Sequence, residues 1–139
     1  RGHAAATHAV KVSRMPLAWL LAAALPALAA CPPPPEAGAR VDSGRVQLAW
    51  RAEPEPIAIS RPFALIVTLC PADARLLRVD ATMPEHRHGM NYRPSLQPLG
   101  DGVWRVEGLL WHMGGRWELR LDVESAGATH ALRQSVALE

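Results

Sequence analysis

Alternation of apolar and polar positions begins near Gly44 and recurs to the end of the chain. In Arg45-Val46-Gln47-Leu48-Ala49-Trp50-Arg51 it sets Val46, Leu48 and Trp50 on one face of a strand. Glu53-Pro54-Glu55-Pro56 interrupts it, because each proline removes a ladder donor. Residues 62–69, Pro-Phe-Ala-Leu-Ile-Val-Thr-Leu, are almost continuously apolar, as in a strand buried on both faces. A further strand is predicted from Leu76 to Thr82, then a loop from Pro94 to a Gly100-Asp101-Gly102 turn. Val103–Met113 and Arg116–Glu124 read as the arms of a hairpin turned by Gly114-Gly115, since glycine tolerates the positive φ of tight turns. That register places His112 opposite Trp117 on the core face, and Trp111 with Met113 on the other. A last strand runs from Thr129 to Leu138 after Ser125-Ala126-Gly127. Six to seven short strands without a helical period predict an all-β fold, an immunoglobulin-like β-sandwich over residues 44–139.

The chain before Gly44 follows a different pattern. Met15 to Ala30 is an alanine- and leucine-rich run, too short to span a membrane comfortably and ending in small residues as export signals do. Leu28-Ala29-Ala30-Cys31 looks like a bacterial lipobox, which implies cleavage before Cys31 and lipidation of its sulfur. Ordinary cleavage after Ala29 is the competing reading, and a Cys31–Cys70 disulfide is the alternative use of the two cysteines. Lys11 and Arg14 supply the basic region of such a signal, so initiation near Val10 or Val12 is expected, and His3 and His8 are left out of any site. Residues 1–30 are thus read as upstream residues and signal peptide, and 31–43 as lipidated cysteine and linker. Pro32 to Pro35 would form a stiff polyproline II spacer. Removing residues 1–30 leaves 12 arginines against 13 acidic residues, a net of −1. Such a domain carries no electrostatic footprint for nucleic acid.

The distinctive chemistry lies in Met83-Pro84-Glu85-His86-Arg87-His88-Gly89-Met90-Asn91. Two histidines and two methionines fall in eight residues of a chain that has six and four in total. If the segment is extended, His86, His88 and Met90 project to one side. Trp111-His112-Met113-Gly114-Gly115 adds His112 and Met113, and Met83 is the next candidate ligand. Imidazole and thioether together suit copper in either oxidation state, whereas thioether is a poor ligand for zinc. Cys70 reads as a small, partly buried residue, and no Cys and His grouping of a blue-copper centre is present. Glu85 and Glu107 have no nucleophile to pair with, so no enzyme is expected.

Residues 80–91 and 108–119 together resemble the YtkA-like family of exported β-sandwich domains, whose members carry a Met-Pro-x-His-x-His-Gly-Met segment and a downstream His-Met-x-Gly-x-Trp segment. FixH-type proteins, linked to the assembly of copper-containing oxidases, share the broader fold. Gly114 stands where proline is often seen. The resemblance spans roughly residues 44–124 and implies an immunoglobulin-like fold and the handling of a heavy metal, copper above all. The expected function is that of a lipid-anchored copper-binding protein on the periplasmic side of a membrane. It would buffer copper or exchange it with a donor or acceptor protein. The rival is an interaction module without metal that assists assembly of a membrane complex such as a respiratory oxidase; a carrier of a small apolar ligand between the sheets is a third.

Overall fold

The computed structural model describes Gly2, Cys31, Pro32 and residues 38–139. The expected export signal and most of the expected proline spacer lie outside the described residues.

Nine strands follow one another without a helix among the described residues: β1 (Ala39–Asp42), β2 (Gln47–Glu53), β3 (Pro62–Cys70), β4 (Arg75–Met83), β5 (His88–Gly89), β6 (Ser95–Gly100), β7 (Val103–Leu110), β8 (Gly115–Ser125) and β9 (Ala128–Leu138). They form two antiparallel sheets, one in the order β1-β2-β3-β7-β6 and the other β5-β4-β8-β9. With β2 to β9 taken as A, B, C, C′, D, E, F and G, these are the ABED and C′CFG sheets of an immunoglobulin-like sandwich. The near-continuous apolar run forms β3, between β2 and β7. In β8 every second residue is apolar and turned inward: Trp117, Leu119, Leu121 and Val123 are fully buried against Leu65, Val67, Leu69, Val106 and Leu109 of the facing sheet. Burial of these apolar faces is the main force holding the sheets together.

Three strands, β1, β5 and β6, were not legible in the hydropathy pattern. β1 lies within the stretch read as linker, paired with β2 from Ala39↔Trp50 to Asp42↔Gln47. β6 occupies part of the expected 94–102 loop. It is exposed at nearly every position and carries Pro98, both features of an edge strand. The β6–β7 hairpin turns on Asp101 and Gly102, at φ 50° and 76°, and β8–β9 on Ala126 and Gly127, at 50° and 74°. Both pairs of positive φ values match a two-residue hairpin turn.

The hairpin expected at Gly114-Gly115 does not form. β7 pairs with β3 and β6, and β8 with β4 and β9, so residues 111–114 cross from one sheet to the other. Only Gly115 of the two glycines has positive φ, at 115°, whereas the expected turn asks for it at both central positions. The crossing inverts the orientation inferred from a hairpin register. Trp111 is fully buried and His112 is exposed.

Candidate metal centre

Three connections meet at one end of the sandwich: β2–β3, β4–β5 and β7–β8. Ser60, in the first, donates its N–H to the Trp111 carbonyl at 2.8 Å and its hydroxyl to the His112 carbonyl at 3.3 Å. These two bonds fix the start of the crossing segment and, with it, the position of His112.

The histidine-methionine stretch is not extended. Residues 84–87 form a turn in which the His86 N–H donates to the Met83 carbonyl at 3.1 Å and Arg87 takes a φ of 53°. The chain then returns as β5, with Met83↔His88 and Thr82↔Gly89 as cross-strand pairs. Directly paired residues project to the same face of a sheet. Met83 is 1% exposed, so its partner His88 is also directed toward the interior face. Gly89 allows this close return, because a Cβ there would lie 2.7 Å from the Ala81 carbonyl oxygen.

The turn and the crossing bring together three of the predicted ligands. The rings of His86 and His88 are 5.8 Å apart, and those of His88 and His112 are 5.3 Å apart and stacked. Trp117 lies edge-on to both, 6.2 Å from His88 and 5.9 Å from His112, and stacks on Trp111 at 5.1 Å with an interplanar angle of 6°. Its Nε1–H donates to the Met113 carbonyl at 3.0 Å, which holds the indole in place beneath the histidines. By its place in the β8 alternation Trp117 is a core residue alone. It is fully buried and also the floor of this cluster, and its place in the His-Met-x-Gly-x-Trp segment was the signal.

The methionines are distributed differently. Met83 belongs to the core, with its Cε 3.0 Å from where a Cβ on Gly115 would stand. Met90 and Met113 are half-buried and pack against the core. The turn that carries His86 is tied to β8 by Glu85, whose Oε1 accepts from Nε of Arg116 at 3.2 Å and forms an ion pair with its Nη2 at the same distance.

Among the described residues, no three His, Cys, Asp or Glu side chains are arranged as a ready cage for an ion. The donor chemistry is nonetheless suited to a soft or borderline cation. Nε2 of His88 is buried and has no hydrogen-bond partner, a costly state for an imidazole unless something else takes up the nitrogen. His86 and His112 are exposed beside it, and their rings can swing toward a shared ion at little cost in packing.

Cys31 and Cys70 are joined by a disulfide with a Cα–Cα distance of 5.0 Å. Cys70 is therefore not the unpaired residue expected. A sulfur in a disulfide cannot also carry a thioether-linked lipid, so the two uses of Cys31 exclude each other in any one molecule. The bridge sits at the far end of β3 from the histidines, roughly 26 Å away for a strand of this length.

No protein-family model, curated protein or solved structure matches the chain.

Proposed function

We propose that this protein binds copper at the sandwich end, through His86, His88 and His112 with a thioether from Met90 or Met113, and passes it on without catalysis. The observation that most supports this is the meeting of His88 and His112. They come from segments more than twenty residues apart, yet their rings stack at 5.3 Å around an unpartnered, buried Nε2. Resemblance of the same two segments to the YtkA-like motifs points the same way. Exposure of His86 and His112 suits a site from which the metal must also leave. Met83, buried in the core, serves as packing beneath the site.

Export is part of the proposal. A Cys31–Cys70 disulfide needs an oxidising compartment, and a lipid on Cys31 needs secretion, so either use of the cysteine takes the domain to the cell envelope. The intact mass of the mature chain separates them: a deficit of a pair of hydrogens for the bridge, or added acyl chains with a free Cys70 thiol for the lipid anchor.

Titration of the full chain with Cu(I) against a competing chelator, and with Cu(II), tests the copper reading. The expected result is uptake tighter than micromolar, with His88→Ala and His112→Ala each weakening it by about tenfold or more. Met90→Leu should weaken Cu(I) binding while leaving Cu(II) nearly unchanged, because thioether is a soft donor. Uptake that is unchanged in a His86→Ala, His88→Ala double variant would sink the proposal, and no uptake tighter than micromolar by the unaltered chain would favour an interaction module without metal.

A further inference from the structure

β4 is covered on its outer edge only by β5, which pairs with Thr82 and Met83 and no further. Next along, the Met90 N–H donates to the Ala81 carbonyl at 3.0 Å, and Asp80 Oδ1 accepts the Ala81 N–H at 2.9 Å. Both outward backbone groups of Ala81 are thus engaged. Backbone groups alternate in direction along a strand, so the next outward pair belongs to Val79. No strand lies on that edge among the described residues. A register irregularity between Leu76 and Arg78 ends the regular edge just beyond it.

Instead of a strand, the edge borders an open groove of about 570 Å³ lined by Leu77, Arg78, Val79, Met90, Tyr92 and Arg93, among others. Leu77 and Tyr92 are 44% and 37% exposed, two of only four large apolar residues so exposed among the described residues. Arg78 is engaged by Asp80. Arg93 has no carboxylate partner among the described residues. The groove therefore carries a cationic excess on a domain of net charge −1. Met90 belongs both to this groove and to the histidine-methionine stretch.

We infer that this groove receives a short, extended, acidic segment of the protein with which copper is exchanged. The segment is added beside Val79 as an edge strand, with apolar side chains over Leu77 and Tyr92 and a carboxylate at Arg93. Backbone pairing at an open edge supplies affinity, and the alternate side chains supply choice of partner. The inference rests on the copper reading for the word exchange. The groove, the open edge and the charge are independent of it. Seated there, the segment lies against Met90, beside the histidines that would give up the ion.

A fluorescein-labelled hexapeptide of alternating glutamate and valine is the probe, with the lysine-valine peptide as control. Both are titrated against the metal-free full chain by anisotropy and amide chemical shift. The glutamate peptide is expected to bind, to shift the Val79 and Arg93 amides, and to weaken as salt is raised. Arg93→Glu should reduce its affinity by about tenfold while leaving copper affinity unchanged. Equal binding of the lysine peptide, shifts confined to other surfaces, or a dimer that buries the Val79 edge without peptide would each overturn the inference. Copper uptake without peptide binding overturns the groove alone. Peptide binding by a chain that takes up no copper overturns the copper reading and the exchange role.

Discussion

Gly114 and Gly115 are adjacent, yet a methyl group added to each meets a different obstacle. At Gly114 the new Cβ would lie 3.1 Å from Ile59 Cδ1, the free end of a flexible side chain. At Gly115 the backbone sits at φ 115° and the Cβ would meet Met83 Cε at 3.0 Å, inside the core. Gly115→Ala should therefore cost about 1–3 kcal/mol in a denaturant titration, and Gly114→Ala less than about 1 kcal/mol. A symmetrical glycine turn would have made the two costs alike. At this scale the sequence declares the kind of chemistry, because imidazole and thioether are rare in this chain and crowd into two segments. It does not declare which way a side chain points. Only a register in which β7 and β8 pair would put His112 in the core. They do not pair, and its neighbour Trp111 takes the buried place.

Among the elements, β5 is the smallest and the one on which the candidate site depends. It is two residues long, yet it turns His88 inward over Trp117 and holds Met90 against Ala81. Gly89→Ala would press a methyl group onto the Ala81 carbonyl and the Thr82 side chain, and so lift β5 from β4. The expected result is weaker copper binding and faster hydrogen exchange at the Met90 amide. Global stability should fall by less than about 1 kcal/mol, because so short a strand opens locally. Strands that bury a face, β3, β4 and β8, were legible from their apolar periods. β6 was not, since an edge strand that is exposed along its length leaves no alternation to read. β1 was hidden for a related reason: its pattern of burial is shallow and it lies directly after the proline spacer.

Over the whole molecule, acid is expected to act through two separate features. On the outer face of the larger sheet, Arg51, Ile66 and Arg105 form one cross-strand row over β2, β3 and β7. Glu53 bridges its two arginines, at 2.5 Å from Arg51 and 2.7 Å from Arg105. Hydrogen bonds from Arg105, and then from Arg51, hold the Glu53 carboxyl below its ordinary value. Because the folded value is the lower one, the contribution to stability is complete above the ordinary carboxylate range and disappears as pH falls through the folded value. Denaturant titrations from neutral pH into that acid range should show this loss, and Glu53→Gln should flatten it. Copper uptake should also fall in acid, because imidazole binds metal in its neutral form. Glu53→Gln should leave that dependence intact, which separates the two features by equilibrium dialysis at matched pH.

The sequence by itself determined the sandwich, the inward-facing residues of β2 and β8, and the two segments that carry the candidate chemistry. Period-two alternation and residue type are local properties of the chain, and they survive whatever the strands pair with. Tertiary structure decided that residues 111–114 cross between sheets, that Cys31 meets Cys70, and that the histidine-methionine stretch turns back on β4. Those outcomes depend on which sheet edges are already taken and which ends of the sandwich coincide, and no local pattern encodes either. The histidine-methionine stretch and the Trp111–Gly115 segment supply the imidazoles. Only the pairing of β5, β4 and β8 sets His88 over Trp117, and only the crossing between sheets puts His112 beside it.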